Sequence, residues 1–121
     1  MTAIIKESSI NPDYTILKLK HKLDTVSAEV FETQINELIT KGKTNIIIDF
    51  EESNYLSSMG LRVLFSASRL LNEQNRRLIL INVGPTVMKV INIADCADLF
   101  EIFESEEKAL ASPGSNPTCK G

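Results

Sequence analysis

Apolar and polar positions change their period several times along this chain, and each change marks an element. Ile4-Ile5 opens a short strand, and Asn11-Pro12-Asp13 signals a turn. From Tyr14 to Leu23 the pattern alternates. Tyr14 and Ile16 share one parity and Leu17 and Leu19 the other, with Lys18, Lys20 and Lys22 as polar partners. That period predicts a strand with one wet face. Asp24-Thr25 ends it and offers an N-cap. Ala28, Phe31, Ile35, Leu38 and Ile39 then fall on one helical face, and Gly42 is placed to close the helix. Ile46-Ile47-Ile48, within Thr44 to Phe50, is too short for a helix and suits a strand buried on both sides. Residues 51–55 read as a loop. A second helix is predicted from about Ser58 to Asn75, and a second doubly buried strand from Arg77 to Val83. Gly84-Pro85 turns the chain into a short helix through Ala94. Leu99 to Phe103 is strand-like, and Glu104 to Ala111 forms a final helix.

After the opening hairpin, strands and helices alternate. The expected fold class is α/β, with a mixed, mainly parallel sheet of about four to five strands packed with four helices. The 121 residues suit one core, with the domain expected over residues 1–111. Residues 112–121 carry two prolines and two glycines and are expected to form a flexible tail.

Composition narrows the function classes. Apolar residues are 43% and charged residues 24%, the balance of a globular protein in water. A formal net charge of −3 argues against nucleic acid as the partner. No apolar run approaches the roughly 20 residues that span a bilayer. Lys6-Glu7 interrupts any secretory pattern. Cys96 and Cys119 make no disulfide framework, so the chain reads as cytoplasmic. His21 is the sole histidine, at a strand end among lysines. With no Gly-x-Ser-x-Gly elbow, the chain is not expected to be an enzyme. One histidine and two distant cysteines provide no metal site, and Gly42, Gly60 and Gly84 are isolated, so no cofactor is implied. Met59, Met88 and Val90 read as core packing, with a sticky surface as the alternative, and Glu104, Glu106 and Glu107 as a solvated helix start. Asp49 at the strand end either ties down the loop that follows it or faces solvent.

The chemistry concentrates in Asn54 to Phe65, a strand–loop–helix junction. Ser57 is the natural N-cap, which makes Ser58 the first helical residue. Gly60 lets another segment approach the first turn, at a cost of about 1 kcal/mol relative to alanine. Ser58, Arg62, Ser66, Arg69 and Glu73 form one polar stripe. Leu61, Val63, Leu64, Phe65, Ala67, Leu70 and Leu71 occupy most of the rest of the wheel. So wide an apolar arc either sits deep in the core or meets a partner. A phosphate on Ser58 would be favoured by the first-turn amides and by Arg62 one turn below. It would add about −1.5 to −2 charge to the stripe. A serine that only caps the helix is the competing reading of the same pattern.

Three stretches resemble the STAS family, in particular its bacterial anti-sigma factor antagonists. These are Lys22-Leu23-Asp24-Thr25 with Ser27-Ala28, Ile46-Ile47-Ile48-Asp49-Phe50, and Tyr55-Leu56-Ser57-Ser58-Met59-Gly60-Leu61. The resemblance covers about residues 4 to 110. It implies that Ser58, or in the alternative Ser57, is phosphorylated by a partner serine kinase that is also the anti-sigma factor. It also implies that a phosphatase reverses the mark and that transcription is regulated by partner switching. Partner contacts are then expected at Asp24, Ser57, Ser58, Met59, Gly60, Arg62, Ser66 and Arg69. Ser57 stands where many phosphorylated members carry Asp, Met59 where a small hydroxyl residue is usual, Arg62 where glycine is common, and His21 where a glycine often precedes Leu-Asp. The alternatives are an unphosphorylated docking subunit, as beside a lipid-transporter ATPase, and a small-ligand sensor.

Overall fold

The computed structural model describes residues 3–94 and 100–111. Strands β1 (Ala3–Glu7), β2 (Tyr14–Leu19), β3 (Asn45–Asp49), β4 (Leu78–Ile81) and β5 (Glu101–Phe103) form one sheet in the order β1-β2-β3-β4-β5. β1 pairs antiparallel with β2, and every later neighbour is parallel. The helices are α1 (Thr25–Lys41), α2 (Ser58–Glu73), α3 (Pro85–Ile93) and α4 (Glu106–Ala111). This is the mixed α/β sheet with four helices that the alternating pattern predicts. The expected tail at 112–121, and both cysteines, lie outside the described residues.

The main core lies on one face of the sheet. Leu17, Leu19, Ile46, Ile48, Leu78 and Leu80 meet α1 through Ala28, Phe31 and Ile35, α2 through Leu64 and Leu71, and α3 through Val87 and Ile91. The opposite face carries a smaller core of Tyr14, Ile16, Ile47, Ile79 and Ile81, covered by Ala109 of α4. Ile47 and Ile48 are both fully buried on opposite faces, which is why this run does not alternate.

Two expectations about β2 need correction. The strand ends at Leu19, not Leu23. Its last pairings are Leu19 with Ala3 on one side and Lys18 with Asp49 on the other. Nor does it keep a wet face: Ile16 and Leu17 are both buried, because α4 covers the side that alternation assigned to solvent. Only Lys18 on that side reaches out, pairing with Glu51 at 3.1 Å and Glu52 at 3.3 Å. Other boundaries move by one to three residues. α2 closes at Glu73, as Asn75 takes a positive φ of 59°. α4 starts at Glu106 rather than Glu104, where Ser105 Oγ accepts the Lys108 amide at 3.2 Å.

Polar groups are held most tightly at the N-terminal ends of the parallel strands. Arg77, just before β4, donates from Nε to Glu101 at 2.9 Å and from a terminal nitrogen to the Tyr14 hydroxyl at 2.7 Å. Its other terminal nitrogen also binds Glu101, completing a bidentate fork. The hydrogen bonds from Glu101 raise the Arg77 pKa above its ordinary value. Neighbouring Arg76 pairs with no carboxylate among the described residues. It donates to the carbonyls of Thr44 at 2.8 Å and Ile39 at 2.9 Å, capping the C-terminal end of α1, while burial lowers its pKa.

Candidate functional site

The junction at Asn54 to Phe65 is fixed from beneath by a single parallel bridge. Leu23 pairs with Leu56. The Leu23 amide donates to the Tyr55 carbonyl at 3.0 Å, and the Ser57 amide donates to the Leu23 carbonyl at 2.9 Å. Asp24 follows Leu23 and Ser57 follows Leu56, and these are the N-caps of α1 and α2. The bridge therefore sets two helix starts side by side, just beyond the C-terminal ends of β2 and β3.

Each cap is locally complete. Asp24 Oδ1 accepts the Ser27 amide at 2.9 Å, and Ser27 Oγ accepts the Asp24 amide at 2.9 Å, a reciprocal capping box. The backbone hydrogen bond from Ser27 holds the Asp24 carboxyl below the usual carboxylate range. Ser57 Oγ accepts the Gly60 amide at 3.0 Å. Gly60 is buried, and its missing side chain is what the bridge requires. A Cβ there would lie 2.9 Å from Leu23 Cδ2 and 2.9 Å from Leu56 Cδ1, both on fully packed leucines. Gly60 thus shapes the surface from below rather than presenting itself on it.

Of the two serines, Ser57 is half-buried and committed to the cap, whereas Ser58 is exposed. Ser58 Oγ has no hydrogen-bond partner among the described residues. Along the predicted stripe Arg62, Arg69 and Glu73 are exposed and Ser66 is half-buried, so the stripe faces solvent. The wide apolar arc goes mostly to the core: Leu61, Val63, Leu64, Ala67 and Leu71 are buried. Phe65 is half-buried and packs at 5.3 Å, centroid to centroid, on Phe100. Met59 and Val90 are half-buried against the main core. Ser58, Arg62 and Phe65 also border a groove between α2 and α3.

Of the two readings of Asp49, the structure shows the one that ties down the loop before the junction. Asp49 Oδ1 accepts the Glu51 amide at 2.9 Å and the Asn82 side-chain amide at 2.9 Å. His21 is exposed. Among the described residues no group of three or more His, Cys, Asp or Glu is arranged to hold a metal, and no helix is long and apolar enough to cross a membrane.

A model of the STAS domain matches residues 6–109. The chain belongs to the STAS domain family. Among its relatives is BtrV of Bordetella bronchiseptica, provisionally named an anti-sigma factor antagonist. It is 28% identical over 94 residues, 78% of this chain and 81% of that protein. A Thermotoga maritima structure with the same provisional name superposes with a TM-score of 0.82 at 17% identity, covering 90% of this chain and 92% of that one. SpoIIAA, an anti-sigma factor antagonist from Bacillus solved unphosphorylated and phosphorylated, superposes with a TM-score of 0.66 in each form. The identities are 22% and 24%, over 89% of this chain and 94% and 97% of those chains. These structures share the STAS fold seen here.

Bridge and groove were the parts that sequence reasoning missed. Leu23 and Leu56 are 33 positions apart, and nothing local marks them as partners. Val90, for which the sequence favours core packing over a sticky surface, does both: it packs on the core and lines the groove beside Ser58.

Proposed function

We propose that this STAS domain is an anti-sigma factor antagonist that works in the cytoplasm by partner switching. With Ser58 unmodified, the chain docks on an anti-sigma factor that is also a serine kinase. Phosphorylation of Ser58 releases it, and a serine phosphatase restores the docking form. The chain acts as a binding module and catalyses nothing itself.

One observation carries the reading. Of two adjacent serines at the start of α2, Ser57 is spent on the cap, and Ser58 is exposed with no hydrogen-bond partner among the described residues. A hydroxyl at that position fits a neutral interface. A phosphate there would be held by the first-turn amides and by Arg62, and would oppose any anionic contact surface. The names of the relatives, and the existence of SpoIIAA in both phosphorylation states, support the same assignment. The rest of the proposed contact face comprises Asp24, Ser57 and Met59 at the helix starts, with Gly60 beneath them, and Arg62, Ser66 and Arg69 along the stripe of α2.

The test is incubation with candidate anti-sigma kinases and ATP, read by intact mass. A single added phosphate, abolished by Ser58→Ala but not by Ser57→Ala, is the expected result. Ser58→Asp should weaken docking by about tenfold. Stable docking with no mass change would favour an unphosphorylated docking subunit. Equal affinity of Ser58→Asp and the unmodified chain would remove the switch.

A further inference from the structure

The face that carries Ser58 continues into an open groove between α2 and α3. Leu61, Phe65, Val90, Ile93 and Ala94 line it over about 450 Å³, and Ser58 and Arg62 stand at its edge. Ile93 is 75% exposed, an apolar side chain that its own fold leaves uncovered. A space of this size with an apolar floor and few polar groups has the character of a binding groove.

Among the described residues, the charges that α2 and α3 place nearest it have one sign; Asp95 and Asp98, which follow Ala94 in the sequence, lie outside the described residues. The chain as a whole is acidic, with a net charge of −3. Yet the sole charged residue of α3 is Lys89, and the charges of α2 nearest the groove are Arg62 and Arg69. All three are exposed, and none forms an ion pair among the described residues. The single carboxylate of α2, Glu73, lies at the far end, roughly 22 Å along the axis from Ser58. Lys18, Lys20 and Arg77, by contrast, all have carboxylate partners within the fold.

We propose that this groove receives an amphipathic helix of the docking partner, with an apolar anchor against Phe65, Val90 and Ile93 and carboxylates that meet Arg62, Arg69 and Lys89. The proposal rests on the docking function proposed above and names the chemistry of the partner's contact segment. A helix laid between two helices presents anchors at intervals of three and four, and its acidic flanks complement the cationic rim. It also gives Ser58 a second means of release. A phosphate one turn from Arg62 competes inside the chain for the cation that the partner's carboxylate needs, besides repelling that carboxylate.

The decisive experiment titrates the isotopically labelled full chain with a synthetic amphipathic helix of roughly four turns. One peptide carries Glu along the flanks of a Leu/Phe face, and a second carries Lys with the same apolar face. The expected result is saturable shifts at Leu61, Phe65, Val90 and Ile93 with the Glu peptide, and affinity about tenfold lower or worse for the Lys peptide. Ile93→Asp and Arg62→Glu should each weaken the Glu peptide by about tenfold. Ile10→Asp, at a comparably exposed apolar residue on the β1–β2 turn, should not. No binding, equal binding of the two peptides, or shifts away from the groove would overturn the proposal. So would saturation of the groove by decanoate but not by the peptide, which would make the occupant a small amphipathic anion. Failure of the docking function is read separately. An anti-sigma factor that responds to Ser58→Asp but not to Ile93→Asp removes the groove assignment alone. One indifferent to Ser58→Asp removes the switch, and the peptide titration still decides the groove.

Discussion

At the N-terminal ends of the parallel strands, Arg77 forks onto Glu101 and reaches the Tyr14 hydroxyl inside the fold. At their C-terminal ends, roughly 17 Å away by strand length, Ser58 and Arg62 face solvent without partners among the described residues. The first cluster spends its polar groups on one another. Removing one member leaves a buried charge uncompensated, so these groups are committed to one another and a lone loss is costly. The second leaves its groups unspent on a rigid platform, two helix starts clamped by the Leu23–Leu56 bridge. Unspent polar groups add little to stability and remain available for docking or modification. Stability and function are thus separated along the strand axis, and each end should fail in its own way.

The largest expected effect is at the closed end. Arg77→Met leaves Glu101 buried and unpaired, and should cost about 3–5 kcal/mol in urea denaturation. Adding Glu101→Leu should recover most of that loss, because the double variant buries no lone charge. A double variant as unstable as the single one would mean that the pair itself stabilises the sheet. Next comes the support beneath the open end. Gly60→Val drives a branched side chain into Leu23 and Leu56, and should cost about 2–3 kcal/mol. Unchanged stability would show that the bridge is not a clamp.

Smaller effects separate the two serines. Ser58→Asp should weaken docking by about tenfold, roughly 1.4 kcal/mol. Being exposed, it should shift unfolding by no more than about 0.5 kcal/mol. Ser57→Ala removes the cap of α2 and should cost about 1 kcal/mol of stability while leaving Ser58 open to phosphorylation. If the two variants exchanged phenotypes, the division of labour at the helix start would be reversed.

The smallest effect is that of pH. Ser27 holds the Asp24 carboxyl below its ordinary range, and Lys20 and Lys18 do the same for Glu52. A depressed folded pKa contributes stability that is complete above the ordinary carboxylate range, near about pH 4. That stability is lost as pH falls through the lowered folded values. Thermal midpoints should therefore drop below about pH 4, and Asp24→Asn, which keeps the cap, should flatten part of that drop. An identical profile for Asp24→Asn would place the acid sensitivity elsewhere.

Much of the architecture was legible because it is written locally. Asp24, Ser57 and Gly42 cap the helices that their positions predict, since capping involves only neighbours within one turn. Ile46-Ile47-Ile48 announced a doubly buried strand, since both its faces are apolar. The alternation of β2 misled in one respect. The lysine at Lys18 marks a wet position, but α4, more than 80 residues later in the chain, covers Tyr14 and Ile16 on the same side. Arg77 and Glu101 lie 24 positions apart, and their spacing carries no period that would join them.

What the sequence by itself determined was the order and type of the elements, the caps, and the exposed stripe from Ser58 through Arg62 to Arg69, because these follow from helical and strand periods within a few residues. What only the tertiary structure decided was how Leu23 and Leu56 bind two helix starts together over Gly60, and that α2 and α3 leave an apolar groove between them with Arg62 beside it. Those features depend on contacts between segments distant in the chain. Such contacts are settled by packing of the whole core, not by any local preference.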